Sequence, residues 1–281
     1  MFLPSDTGPV LITGCSSGLG RACALMFHRA GFCTVATARN LAAIEDLHAL
    51  GCRTLQLDVA DEDSRRAAVA AVENEFSAVG VLINNAGFGQ YGPLEEIPLD
   101  AVRRVFETNV FGLLRMAQLV LPAMRRAGRG RIINVSSLAG RVTAQGGGAY
   151  HMTKYAVEAL ADAMRPEVKP FGIDVVNVLP GPFISAYRDK VVASIPDTNP
   201  DSPYKIYKRS IGKYMLDFLR PGRFGVMSAE HVADVVFKAA TTSRPRTRYS
   251  VGYMAKFSPL GRALTPDRVV DAVMTREIPM R

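Results

Sequence analysis

No tract of this 281-residue sequence approaches the roughly 18 to 20 apolar residues that a membrane-crossing helix needs. The longest candidate, VFGLLRMAQLVLPAM, carries Arg115 in its middle and Pro122 near its end. No transmembrane segment is expected. The opening, MFLPSDTGPVLITG, lacks the basic start and cleavage pattern of a secretory leader. Cys15, Cys23, Cys33 and Cys52 stand at neither C-x-x-C nor any other metal-ligand spacing. They read as free thiols of a reducing compartment, and no metal site is expected. These absences point to a cytoplasmic protein. Zinc-finger spacings and RNA-binding signatures are also missing, so nucleic acid is not an expected partner. Internal repeats and low-complexity tracts are absent.

What is present is enough apolar sequence, 48% of residues, to bury a sizeable core. The net charge is +8, unevenly spread. Residues 1–185 hold 17 basic and 17 acidic side chains. Residues 186–223 carry a net +4 and residues 243–281 a net +5. The two late segments either form solvated basic faces or attract an acidic ligand, a carrier protein or a membrane surface.

Short apolar runs rich in β-branched residues alternate with amphipathic stretches. PVLITG, CTVATAR, TLQLDV, VLINNAG, GRIINVSS and IDVVNVLPG read as six strands. Helices are expected at 18–30, with Gly31 as the stop, and near 41–50, 62–76, 98–127 and 150–169. Strands alternating with helices imply βαβ units. The fold class is therefore α/β, a doubly wound, mostly parallel sheet with helices on both faces, in a single domain. Continuous apolar strands fit a sheet buried on both sides. Pro166 falls inside the last of these helices and predicts a kink or an early end there.

The first strand runs into TGCSSGLG. Gly14 permits a sharp turn, Gly18 lets a pyrophosphate approach the backbone, and Gly20 packs helix on strand. Ser16, Ser17 and Leu19 complete the turn, and the helix N-terminus offers its N–H groups to the phosphates. The spacing is G-x-x-x-G-x-G rather than the usual G-x-G-x-x-G. About twenty residues on, where an acid would bind an NAD ribose, the chain has Ala38 and Arg39, with no acid before Glu45. Arg39 accommodates a 2′-phosphate, so NADP(H) is favoured and NAD(H) remains possible; the alternative is a plain surface arginine. Ser16 or Ser17 would add a hydroxyl to that phosphate.

Farther along, Asn109 lies in the long helix, Ser137 ends the fifth strand, and Tyr150 and Lys154 stand four apart on one helical face. Each alone is ordinary. In this order, TGCSSGLG, LDV, NNAG, Asn109, Ser137, YHMTK and PGP at 180–182 make the chain resemble the short-chain dehydrogenase/reductase family, over residues 10 to about 185. VLITGCSSGLG, ATARN and PGPF are similar to the 17β-hydroxysteroid and retinol dehydrogenase-like members.

The resemblance implies an NADP(H)-dependent oxidoreductase moving a hydride between nicotinamide and a ketone or secondary alcohol. Tyr150 is then the general acid in reduction and the base in oxidation. A free phenol has a pKa of about 10, and Lys154 lowers it while binding the nicotinamide ribose. Ser137 hydrogen-bonds the reacting oxygen. Asn109 holds a water that links Lys154 to a proton relay. Asp58 and Val59 flank the adenine; Asn85, Ala86 and Gly87 present backbone to the ribose; Pro180, Gly181 and Phe183 bracket the nicotinamide.

Residues 185–225, with four tyrosines, fall where the family places a substrate lid, and 243–281 form a basic C-terminal tail. A lipophilic carbonyl or alcohol is the expected substrate. A 3-oxoacyl thioester reductase and a non-catalytic NADP(H)-binding regulator are the alternatives. TGxxxGxG disfavours an epimerase; lyase or isomerase chemistry stays open. The resemblance also implies a homodimer or homotetramer built on helices 98–127 and 150–169.

Overall fold

The computed structural model describes residues 7–185, 187–196 and 199–280. Seven strands form one sheet: β1 (Val10–Ile12), β2 (Thr34–Ala38), β3 (Arg53–Gln56), β4 (Val81–Asn84), β5 (Gly130–Val135), β6 (Ile173–Pro180) and β7 (Arg248–Val251). Their order is β3-β2-β1-β4-β5-β6-β7, and every pairing is parallel. The order reverses between β1 and β4. In open α/β sheets the ligand crevice lies at such a reversal, beyond the carboxyl ends of the strands.

The helices are α1 (Gly18–Arg29), α2 (Glu45–Ala49), α3 (Glu62–Phe76), α4 (Leu99–Phe106), α5 (Leu113–Arg126), α6 (Gly148–Val168), α7 (Tyr187–Ala193), α8 (Lys205–Phe218), α9 (Ala229–Thr241), α10 (Tyr253–Leu264) and α11 (Asp267–Glu277). Successive strand residues point to opposite faces, which fixes two cores. Val10 and Ile12 pack with α1 and α9, and Leu11 packs with α3, α5 and α6. The α1/α9 core centres on Phe27, Phe32 and Phe237, whose rings lie 5.0 to 5.7 Å apart. Wholly buried Phe27 contributes roughly 1.5–3 kcal/mol by removal from water.

Three sequence expectations are refined. The long helix is not uniform: between α4 and α5, Glu107–Gly112 form a π-helical segment with Asn109 inside it. Pro166 does not end its helix early. α6 passes it and stops at Val168, two residues on, and the proline leaves the Asp162 carbonyl without its intrahelical N–H partner. Residues 243–281 are not a simple tail. They add β7 to the sheet, then α10 and α11, and α9 precedes them. A third cluster gathers Tyr91, Val191, Tyr207, Ile211, Met215, Leu219 and Ile278, joining α7 and α8 to the end of the chain.

Candidate active site

The loops after β1 and β4 are sewn together. Thr13 Oγ1 accepts hydrogen bonds from the backbone N–H groups of Asn85 (3.0 Å) and Ala86 (2.9 Å). Asn85 Nδ2 donates to the carbonyls of Thr13 (2.8 Å) and Gly14 (3.1 Å). Gly14 turns with φ +76°, a left-handed conformation that favours glycine. A Cβ on Gly20 would lie 2.3 Å from the Gly14 carbonyl oxygen, so α1 meets the turn only because residue 20 has no side chain. Ser17 precedes α1 in extended conformation without capping it, and the first turn holds no acid. The first N–H groups of α1 are left free for an anion. Ser16 and Ser17 are exposed, and Leu19 is buried.

Arg39 is exposed just beyond β2 and makes no ion pair among the described residues. Its carbonyl accepts from Gln56 Nε2 at 3.1 Å, which ties the ends of β2 and β3. Beyond β3, Asp58 Oδ1 accepts from Ala60 N–H (3.0 Å), and the N–H of Asp58 donates to Ser64 Oγ (2.9 Å). Val59 is buried, and its carbonyl accepts from Arg65 at 2.6 Å. Gly87 is held against Asn109, whose Oδ1 would meet a Cβ there at 2.9 Å.

Asn109 is buried. Its Oδ1 accepts from Phe88 N–H (3.0 Å), and its Nδ2 donates to the Phe88 carbonyl (2.9 Å) and to Thr153 Oγ1 (3.1 Å). Thr153 in turn donates to the Tyr150 carbonyl at 2.7 Å. Both amide protons of Asn109 are spent on protein. A relay water at this residue has only its backbone carbonyl or the second lone pair of Oδ1 to use.

Tyr150 stands in the first turn of α6, with Lys154 one turn on and Lys154 Nζ 5.7 Å from the phenol ring centre. Nζ donates to the carbonyl of Val135, the last residue of β5, at 2.8 Å. Ser137 follows β5, and its Oγ accepts from Ala139 N–H at 3.1 Å. The direction expected for the phenol is not the one found. Burial raises the pKa of Tyr150, and the hydroxyls of Ser137 and Tyr187 pull it back. Burial also lowers Lys154 to about 8, opposed by the carboxylate of Glu158. The ammonium sits against a carbonyl rather than the phenol oxygen, so desolvation of the ring prevails.

Pro180 ends β6, and Gly181 N–H donates to the Val251 carbonyl of β7 at 2.9 Å. Phe183 bridges to Met227 and packs against the α1/α9 core. Core packing thus takes up at least part of the ring expected to bracket a nicotinamide.

The structure adds residues without a sequence signature. Tyr91 stacks on Tyr150 with ring centres 5.9 Å apart, and Tyr187 tilts against Tyr150 at 5.6 Å. The Tyr187 hydroxyl is buried against the phenols of Tyr91 and Tyr150. His151 Nδ1 binds the carbonyls of Ala139 (3.1 Å) and Val142 (2.9 Å), fixing the Ser137 loop to α6, and burial lowers its pKa. Gly140 permits that loop's close approach, since a Cβ would lie 2.8 Å from the Lys154 carbonyl.

Behind the site, three asparagines in register cross the sheet. Asn84 Nδ2 donates to Asn134 Oδ1 (3.1 Å), and Asn134 Nδ2 to Asn177 Oδ1 (3.2 Å). Asn177 Nδ2 donates to Glu158 Oε1 (2.8 Å), and Glu158 Oε2 accepts from Arg248 Nε (2.7 Å). Glu158 is one turn past Lys154.

Ser137, Tyr150 and Lys154 lie at the carboxyl ends of the strands, the same edge of the sheet as the uncapped N-terminus of α1. No group of ligands able to hold a metal occurs among the described residues. The four cysteines are free thiols.

The model of the short chain dehydrogenase family matches residues 9–195. Among similar proteins, the uncharacterized oxidoreductase YbbO of Escherichia coli (strain K12) is 33% identical over 266 residues, covering 94% of this chain and 93% of its own. Retinol dehydrogenase 5 of Homo sapiens is 33% identical over 294 residues, covering 99% of this chain and 91% of its own. The crystal structure of a short-chain dehydrogenase from Streptomyces avermitilis superposes with a TM-score of 0.76 at 31% identity, covering 96% of each chain. The chain belongs to the short-chain dehydrogenase family of oxidoreductases.

Proposed function

We propose that this chain is an NADP(H)-dependent oxidoreductase that moves a hydride between the nicotinamide and a lipophilic ketone or secondary alcohol. One observation carries the reading. Tyr150, Ser137 and Lys154 converge at the carboxyl-end edge of the parallel sheet, the edge from which the glycine turn after β1 leads into a helix N-terminus with no side-chain cap.

The turn fits a dinucleotide. Gly18 turns with φ +56°, a conformation that favours glycine, and opens α1, whose first N–H groups carry no side-chain cap and suit a pyrophosphate. Arg39 is free to pair with a 2′-phosphate, Asp58 and Val59 border the adenine position, and Asn85, Ala86 and Gly87 the ribose. Pro180, Gly181 and Phe183 border the nicotinamide, which when bound supplies or accepts the hydride.

In reduction, Tyr150 gives its proton to the carbonyl oxygen. Burial keeps the phenol protonated at neutral pH, the state this step requires. Ser137 Oγ hydrogen-bonds the same oxygen as negative charge develops. Lys154 Nζ, anchored on Val135, binds the ribose and favours the phenolate that remains. Asn109 fixes the backbone of Phe88 and, through its carbonyl, a relay water. Tyr91, Tyr187 and the α7–α8 lid supply an apolar wall with polar tips, which suits a lipophilic carbonyl. Phe111, Met152 and Tyr155 are exposed apolar side chains on the π segment and α6, and they support pairing of two or four copies there.

The test is NADPH consumption across a panel of ketones, aldehydes, steroids and acyl thioesters, with wild type and Tyr150→Phe side by side. The reading expects turnover that falls at least about a hundredfold in the variant. Equal turnover in both overturns the role of Tyr150. Tight NADPH binding with no turnover in either overturns the substrate class and favours a cofactor sensor.

A further inference from the structure

The excess positive charge and one helix face are not used by the chemistry above. Tyr253, Phe257, Leu260 and Leu264 recur on α10 at spacings of four, three and four. At 100° per residue they form one stripe about 60° wide. Their exposures are 61%, 54%, 60% and 76%, so nothing in the described chain covers them. The opposite side of the helix is anchored, since Ala255 is buried. The stripe continues into a neighbouring loop, where Phe224, 90% exposed, lies with its ring 6.5 Å from that of Tyr253. The rings of Tyr253 and Phe257 lie 4.9 Å apart, tilted by 43°.

The rim of this stripe is cationic. Lys256 flanks it on α10, exposed and with no ion pair among the described residues. Beside Phe224, Arg220 and Arg223 share the single carboxylate of Asp217 (3.3 and 3.0 Å). Residues 243–281 hold a net +5. No helix is long and apolar enough to cross a membrane among the described residues, so such a face can lie on a bilayer but not span it. An aromatic and leucine stripe edged by lysine and arginine is the composition of an interfacial helix. A second copy is the poorer occupant, because two faces of like charge would meet.

We infer that α10, with the Phe224 loop, docks this protein peripherally on an anionic lipid surface. The aromatic rings and leucines enter the headgroup boundary, and the cationic rim faces the lipid phosphates. The inference needs no assumption about the substrate. Beyond α10 and α11 the chain returns to the lid, where Ile278 is buried in the cluster of Tyr207 and Met215.

The test is co-sedimentation of the full chain with vesicles of phosphatidylcholine alone and of phosphatidylcholine mixed with phosphatidylglycerol. Wild type and Phe257→Ser/Leu264→Ser are compared, with thermal melting confirming that both fold. Both positions are exposed, so the variant should melt with wild type. Expected are binding to the anionic vesicles only, weakening as salt rises, and a loss of at least about tenfold in the variant. No binding to either vesicle, or equal binding by both proteins, overturns the inference. So does light scattering in which wild type is a dimer and the variant a monomer, because a second copy would then cover the face.

Discussion

Asn177 Nδ2 donates to Glu158 Oε1 at 2.8 Å, which fastens a row of sheet asparagines to the helix that carries Tyr150 and Lys154. Glu158 is buried, four residues past Lys154, and its charge holds the lysine pKa up against burial. Glu158→Gln removes that charge and lowers Lys154 below its value of about 8. Lysine is active here as the ammonium, which is lost as pH rises through its pKa. The alkaline fall of the rate profile should therefore move to lower pH in Glu158→Gln. A pH profile of NADPH turnover, with melting as a control for folding, checks it. An unchanged alkaline limb would show that Glu158 serves the fold alone.

Arg39 has no carboxylate partner among the described residues, so its charge is available beyond β2. Arg39→Asp should weaken NADPH binding at least about tenfold, the scale of one charge-assisted hydrogen bond, and leave NADH nearly unchanged. Fluorescence titration with both nucleotides decides the matter, and equal loss of both would remove Arg39 from the 2′-phosphate.

Gly20 allows the helix after the glycine turn to touch that turn. A Cβ would sit 2.3 Å from the Gly14 carbonyl and 2.4 Å from Asn85 Nδ2. Gly20→Ala should destabilise by about 1–3 kcal/mol or more, as overpacking does. Urea unfolding measures it, and a variant as stable as wild type would mean the turn can yield.

Much of this was legible in the residue order. β1, β2, β4, β5 and β6 are short apolar runs that no helix period can explain, and each ends in a loop with a recognisable residue. β7 was not legible. Its four residues, RYSV, start with a charge and lie at the sheet edge, so they lack the continuous apolar signature of the central strands. α9 did leave a signal that went unread. Ser228 accepts from His231 N–H as a cap, and Val232, Ala233, Val236, Ala239 and Ala240 form its buried face. Tyr91 and Tyr187 are nearly a hundred positions apart and carry no motif, so only the packing of the lid brings them to Tyr150. The raised Tyr150 pKa was equally hidden, because a charged neighbour is visible in a sequence and desolvation is not.

The asparagine row has one more consequence. Strands that are greasy on both sides resist sliding poorly, since a one-residue slip exchanges one apolar neighbour for another. In β4, β5 and β6 such a slip would strand three buried amides and the carboxylate of Glu158 without partners, and each orphan costs about 1–3 kcal/mol. Alignment of the centre of the sheet, and with it the relative height of Asn85, Ser137 and Pro180 at its rim, is thus dictated by polarity rather than by grease.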